Sequence, residues 1–252
     1  MSESLPHDHI LPQKTSRLSK KHQVAEMFNC IAERYDFMNR FLSCGIDTIW
    51  RKKAISKLKN DDPKVILDVA CGTGDMAILA CKMLNPSRIT GIDLSGEMLR
   101  VGRQKIVKEQ LTSKIELLEG DSEAIKFSNN TFDAVTVAFG VRNFENLETG
   151  LREIYRVLKP GAQLVVLEFS KPKNTAFRKL YNLYMGIIAP EMAGWFSKNK
   201  KAYQYLNDSA KAFPDRQHFV EILERIGFSD IECKPLSLGI CCIYCGRKAG
   251  NH

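Results

Sequence analysis

Residues 65–75, VILDVACGTGD, decide the fold: a short apolar, β-branched run breaks at a Gly-Thr-Gly turn, and DMAILACKML follows with helical periodicity. A buried strand that passes through glycines into a helix is the opening of a strand–helix–strand unit. Downstream the same rhythm repeats. RITGIDL (88–94) reads as a strand and 96–109 as a helix, IELLEGD (115–121) and FDAVTVAF (132–139) as strands, and LETGLREIYRVL (147–158) as a helix closed by Lys159-Pro160-Gly161. AQLVVLEFS (162–170) reads as a fifth strand, a helix follows at about 215–226, and two closing strands fall near 228–237 and 239–248. Such alternation predicts an α/β fold, a mostly parallel sheet with helices on both faces. Upstream, Val24, Met27, Phe28, Ile31, Tyr35 and Met38 recur at helical spacing within 21–41, and a second helix is expected over 49–58 before the stop Asn60-Asp61-Asp62-Pro63. Residues 1–20 read as a flexible tail, 21–252 as a single domain, and 171–212 as a helical lid inserted after strand five.

Hydrophobic residues make up 44% and charged residues 26% of the 252, the balance of a globular chain rather than a disordered one. No apolar run approaches the roughly 20 residues that span a bilayer, and MSESLPHDHI has neither a secretory nor a mitochondrial pattern, so a cytoplasmic address is expected. The net charge of +8 is concentrated: Lys171, Lys173, Arg178, Lys179, Lys198, Lys200 and Lys201 face the single acid Glu191 within 171–201. There Phe177, Leu180, Tyr181, Tyr184, Ile187 and Ile188 form a helical stripe ended by Pro190, which suits an amphipathic lid peripheral to an anionic membrane surface. The competing reading is a stripe packed on the core with solvated lysines. Eight scattered cysteines include only one C-x-x-C, Cys242 and Cys245, so buried thiols are expected and no metal site.

The acids at the strand ends sharpen the chemistry. Gly72 and Gly74, with Thr73 between them, let a ligand approach the backbone at a helix start. Ala77 satisfies the spacing of a dinucleotide-binding turn, so glycine spacing alone does not decide between cofactors. Asp68 just ahead of the turn would repel a diphosphate but suits an ammonium. Asp93, ending the second strand, can receive ribose hydroxyls, and Asp121, followed by Ser122, can receive the exocyclic amine of adenine. An ammonium, a ribose and an adenine together describe S-adenosylmethionine. Any one of these acids could instead be an ordinary turn residue or helix cap.

Four segments resemble the ubiquinone/menaquinone-biosynthesis C-methyltransferase family: YDFMNRFLSCGIDTIWRKKAI (35–55), ILDVACGTGD (66–75), FGVRNFEN (139–146) and RVLKPGAQLVVLEFSKP (156–172). The similarity runs from about residue 24 to 248. Two positions depart from the family pattern, Asp47 where a histidine is usual and Ala162 where a second glycine is usual. The resemblance implies the class I methyltransferase fold, a Rossmann-like seven-stranded sheet whose last strand is antiparallel. It also implies methylation of a ring carbon of a polyprenylated quinol, with a lean toward the menaquinone branch over the ubiquinone branch. S-adenosylmethionine would be the methyl donor and no metal would be required.

The expected cofactor-binding set is Tyr35, Arg51, Asp68, Gly72, Thr73, Gly74, Asp93, Asp121, Ser122 and Ala138, the roles of Tyr35 and Arg51 resting on the resemblance. A quinone would resist attack on a methyl sulfonium, so the acceptor must be the quinol, activated by loss of a hydroxyl proton. Arg142 is expected to stabilise the oxyanion or orient a water, Asn143 to hydrogen-bond the quinol, and Asp75 to serve as a base or merely a helix cap. The sequence lacks the Asn/Asp-Pro-Pro-aromatic motif of amino-methylating nucleic-acid enzymes, so no nucleic-acid partner is expected. A soluble small acceptor and a homo-oligomer both stay open.

Overall fold

In the computed structural model, which describes residues 5–172 and 200–250, the strand β1 (Val65–Val69) runs through the middle of the molecule with four of its five residues buried. Such burial on both faces requires the unbroken apolar run that the sequence supplies. With β2 (Arg88–Asp93), β3 (Ile115–Glu119), β4 (Phe132–Ala138), β5 (Leu158–Phe169), β6 (Phe228–Leu236) and β7 (Cys241–Lys248) it forms one sheet of order β3-β2-β1-β4-β5-β7-β6. The first five strands are parallel, and β7 is antiparallel to both β5 and β6, as the expected class I methyltransferase sheet requires.

The helices are α1 (Lys20–Leu42), α2 (Ile46–Ile55), α3 (Asp75–Leu84), α4 (Gly96–Lys108), α5 (Leu147–Val157), α6 (Lys200–Ala212) and α7 (Gln217–Ile226). One face of the sheet buries Ile66, Ile89, Val165 and Leu167 against Trp50 and Ala54 of α2, Met76 and Ala80 of α3, and Leu99 of α4. The opposite face buries Leu67, Val135, Val137 and Val166 against Leu151 and Ile154 of α5 and Phe219 and Leu223 of α7. Full burial of each such aliphatic side chain contributes about 1.5–3 kcal/mol, so the two layers fix the sheet. The period-two alternation also separates Cys242 from Cys245: Cys242 belongs to the α5/α7 face and Cys245 to the other. The C-x-x-C is therefore two residues on opposite sides of β7, not a thiol pair.

Strand five starts at Leu158, ahead of the expected turn, because Leu158 pairs with Phe132 before the register slips between Phe132 and Ala134. The second helix begins at Ile46 and continues as a 3-10 turn over Ser56–Asp61. Within the segment read as a loose tail, Pro6–His9 form a 3-10 turn whose His7 is fully buried, edge-on to Phe213 at 5.9 Å. Lys20 Nζ donates to the His7 carbonyl at 2.9 Å. That docking depends on a contact two hundred residues away in sequence, which no local periodicity signals. The stripe from Phe177 to Ile188 lies outside the described residues.

Burial, with Lys20 acting in the same direction, pushes the His7 imidazole from 6.5 down to about 3. An undocked His7 then takes up its proton as the pH falls through 6.5 while the docked one does not, so acid favours release by about 1.4 kcal/mol per pH unit. Amide protection factors of residues 5–19, with the intrinsic pH dependence of exchange divided out, should therefore fall below that pH and stay level above it. His7→Phe should flatten the dependence.

Candidate active site

Between β1 and β4 the strand order reverses, and their carboxyl ends border a cleft that opens to solvent. Both strands end in left-handed, non-glycine residues, Ala70 (φ 52°) and Phe139 (φ 58°). Conformations of that kind cost of order 1 kcal/mol each and collect at functional sites. The strain is anchored by the sheet: Cys71 N donates to Ile92 O at 3.0 Å and Phe139 N to Leu167 O at 2.7 Å. Gly140 is required beside them, since a Cβ there would lie 2.7 Å from the Ala70 Cβ.

The cleft wall contains Tyr35, Gly72, Asp93, Asp121, Ser122, Ala138 and Asn143. Gly72 and Gly74 have φ of 54° and 76°, which L side chains rarely adopt. Asp93 accepts from the Gly72 N–H at 2.8 Å and the Ser95 N–H at 2.9 Å, one bond to each oxygen, so each keeps a lone pair for a ligand hydroxyl. Burial pushes its carboxyl upward against those two backbone bonds. Asp121 accepts from Lys21 Nζ at 2.7 Å and from Glu123 N at 2.9 Å. Lys21, which also lines the cleft, therefore stands where an adenine amine was expected.

Behind Phe139 lie the groups expected at the methionine end of the donor. Asp68 is 1% exposed, Thr136 Oγ1 donates to its Oδ1 at 2.7 Å, and its Oδ2 has no hydrogen-bond partner among the described residues. Burial raises its carboxyl to about 7. Arg51 sits 5.2 Å over the Phe139 ring, and its Nε, 3.8 Å from Asp47, is ion-paired there but has no hydrogen-bond partner among the described residues. Asp47 accepts from Ser43 Oγ at 2.8 Å, which gives the departure from the family histidine a local role. A buried carboxylate oxygen and a buried guanidinium N–H that both lack hydrogen-bond partners fit an ammonium and a carboxylate. The residues present thus fit S-adenosylmethionine.

Thr73 and Asp75 face away from the cleft, toward α1. Thr73 Oγ1 donates to Asp36 Oδ1 at 2.6 Å, and Lys105 Nζ bridges Asp36 at 2.7 Å, Thr73 at 3.1 Å and Asp75. Arg40 lies 3.5 Å from the other Asp75 oxygen. Burial alone would raise the Asp75 carboxyl, but Lys105 and its neighbours outweigh it and hold the group below the ordinary range. Asp75, expected as a base or a helix cap, is thus paired with Lys105 and Arg40 at the start of α3. Further contacts tie α1 across the cleft: Lys20 N to Glu145 Oε1 at 3.0 Å, Ser95 Oγ to Asn29 Oδ1 at 2.7 Å, and Arg100 to Glu33. Lys21 and Lys105 carry no pattern in the sequence that would mark them, whereas Asp36 lies in the segment 35–55 that carries the family resemblance.

On the acceptor side, Arg142 is 2% exposed in the 3-10 turn Val141–Asn143. Its Nη1 donates to Glu168 Oε1 at 2.6 Å and to the Phe139 carbonyl at 2.7 Å, and its guanidinium lies 5.3 Å from the Phe169 ring centroid. Asn143 Oδ1 accepts from Tyr205 Oη at 3.2 Å. Glu168 was missed by sequence reasoning, although an acid inside the apolar LVVLEFS run is a signal, because a buried charge needs a partner. Among the described residues no group of three or more His, Cys, Asp or Glu side chains is gathered to hold a metal.

Sheet order, glycine turn and acids at successive strand ends define a class I S-adenosylmethionine-dependent methyltransferase. A "possible histamine N-methyltransferase" of Thermotoga maritima has the same fold, with a TM-score of 0.62 at 15% identity, over 89% of this chain and 99% of its own length. The model of the ubiE/COQ5 methyltransferase family matches residues 16–248, and this chain belongs to that family. A protein of Bacteroides fragilis named demethylmenaquinone methyltransferase is 44% identical over 243 residues, 96% of this chain and 99% of that one. One of Geotalea daltonii named ubiquinone/menaquinone biosynthesis C-methyltransferase is 44% identical over 230 residues, 91% of this chain and 97% of that one.

Removing the Asp93 carboxylate takes away an ionised hydrogen-bond acceptor, worth about 1.5–3 kcal/mol. Asp93→Ala should therefore weaken S-adenosylmethionine binding about 10- to 150-fold in calorimetric titration.

Proposed function

We propose that this chain methylates a ring carbon of demethylmenaquinol, the reduced and polyprenylated naphthoquinone, using S-adenosylmethionine. The observation that carries the reading is the buried Arg142 beside cleft-lining Asn143, under the Phe139–Phe169 ring pair whose centroids are 4.7 Å apart. Flat aromatic walls with one guanidinium suit an aromatic acceptor on which negative charge develops. The near full-length likeness to the Bacteroides fragilis protein supports the naphthoquinol. The Geotalea daltonii protein's name favours testing the benzoquinol beside it.

Asp93 would hold the ribose and Asp121 with Ser122 the adenine end, after Lys21 gives way. Asp68 and Arg51 would hold the ammonium and carboxylate of the methionyl part, and Gly72, Gly74 and Ala138 leave room for the donor. Tyr35 closes the cleft from α1. The donor supplies an electrophilic methyl group. Arg142 steadies the phenolate-like charge of the acceptor, Asn143 orients it, and Phe139 and Phe169 exclude water from the reacting carbon.

A polyprenyl chain is lipid-soluble, so we place the enzyme on the cytoplasmic side, peripheral to an anionic membrane that the basic 171–201 segment meets. No helix among the described residues is long and apolar enough to cross a membrane.

Labelled S-adenosylmethionine should transfer its methyl to demethylmenaquinol in detergent only with dithionite present. Arg142→Lys and Arg142→Ala should each lower kcat, the latter by about 10²–10³, with donor binding kept. Transfer to the oxidised quinone, or unchanged turnover in a folded Arg142→Ala, would refute the mechanism.

A further inference from the structure

A hydroxyl proton must leave the acceptor before its ring carbon can attack, and the structure points to where it goes. Of the other carboxylates near the cleft, Glu123 takes the Glu145 and Asn146 N–H groups and Glu145 takes the Lys20 N–H. Asp75 is held by Lys105 and Arg40. Both oxygens of Asp93 take backbone N–H groups, and Asp121 is paired with Lys21. Asp68 lies at the Arg51 end, on the α2/α3 side of the sheet.

Glu168, at the carboxyl end of β5, differs. Its side chain is fully buried, and Oε1 takes both Arg142 Nη1 at 2.6 Å and the Phe169 N–H at 2.8 Å. Oε2 has no hydrogen-bond partner among the described residues, and neither has Arg142 Nε. The guanidinium could grip a carboxylate through two parallel bonds but uses one nitrogen on one oxygen, sharing it with the Phe139 carbonyl. A pair built for stability would close that fork, because each buried unpaired polar atom costs about 1–3 kcal/mol. An open acceptor beside a fixed cation is the arrangement a hydroxyl donor completes.

We propose that Glu168 is the general base, its free Oε2 taking the acceptor's hydroxyl proton while Arg142 stays on the resulting oxyanion. The proposal rests on the quinol reading. The O–H bonding pair stays on oxygen and feeds the adjacent unsubstituted ring carbon. That carbon forms the new C–C bond as the C–S pair leaves with sulfur, giving a neutral thioether. The carbon then releases its hydrogen as a proton to solvent, its C–H pair restores the aromatic ring, and protonated Glu168 returns its proton to the ring oxygen. One proton is released per methyl transferred.

Burial pushes the Glu168 carboxyl upward against the pull of Arg142. The other titratable groups facing it are Tyr205 of α6 and Cys241 of β7, both held neutral by burial. Tyr35 of α1 faces Arg142 and is likewise raised. The base works only when ionised, so kcat should fall with acid at a pH above the ordinary glutamate value of 4.5.

The test compares wild type, Glu168→Gln and Glu168→Asp, with two readouts. Methyl transfer to demethylmenaquinol is followed against pH, and the absorbance of a bound chain-free naphthol reports whether it is ionised without any turnover. Glu168→Gln should lose about 10²–10⁴ in kcat, keep donor affinity and bind the naphthol neutral, while wild type binds it as naphtholate. Glu168→Asp should recover part of both. A folded Glu168→Gln with kcat within about threefold of wild type, too little for a lost general base, would overturn the proposal, as would equal naphthol ionisation. Should Glu168→Gln fail to fold, a wild-type kcat flat throughout the acid range overturns it, and an acid limb as described supports it. Wild type that binds donor but methylates no quinol removes the acceptor reading and this role together. Active wild type with unimpaired Glu168→Gln removes the role alone.

Discussion

The reversal of strand order between β1 and β4 is the constraint from which the rest follows. Two parallel strands whose connections leave in opposite directions cannot cover the gap between their carboxyl ends. The chain turns away at Ala70 and Phe139 in left-handed conformations that only the flanking ladders hold, through Cys71 to Ile92 and Phe139 to Leu167. The gap exposes the glycine turn on one side and places Phe139, Arg142 and Asn143 on the other. Donor and acceptor ends of the site are thus two sides of one topological seam.

Around that seam, several carboxylates of the same chemistry are given different tasks by their surroundings. Desolvation raises Asp68, Asp93 and Glu168, whereas Lys105 draws Asp75 down. Identical functional groups are left with different charge preferences and different free acceptor atoms through position alone. This division explains why the acids cluster at strand ends: a strand end is where a side chain can be buried on one side and still reach a ligand on the other.

The sheet was legible because β1, β4 and β5 are short apolar runs bounded by turn residues, and α5 and α7 repeat leucines and isoleucines at helical spacing. That Asp93, Asp121 and Gly72 stand together at strand ends, on the wall of one cleft, was legible because strand ends are local features. What the sequence hid depends on contacts between distant segments: the Lys21–Asp121 pair, the Lys105 bridge to Asp36, and His7 against Phe213. The counter-charges of Asp75 were hidden for the same reason, lying on α1 and α4. Glu168 lay between these cases, marked by an acid in an apolar strand but with a partner that only the fold reveals.

The two sides of α1 are attached in different ways. Toward the cleft it is pinned by charges and single hydrogen bonds, from Lys21 near one end to Arg40 near the other. The exposed Arg40 pair contributes little, about 0–1 kcal/mol, while the Lys21 and Asn29 contacts are partly buried. Its apolar side, Val24, Met27 and Ile31, is sealed to Ala202 and Tyr205 of α6. Val24 and Phe28 of the same helix also line the cleft, and Tyr205 of α6 donates to the cleft-lining Asn143, so the α1–α6 contact ties one wall of the cleft to the other.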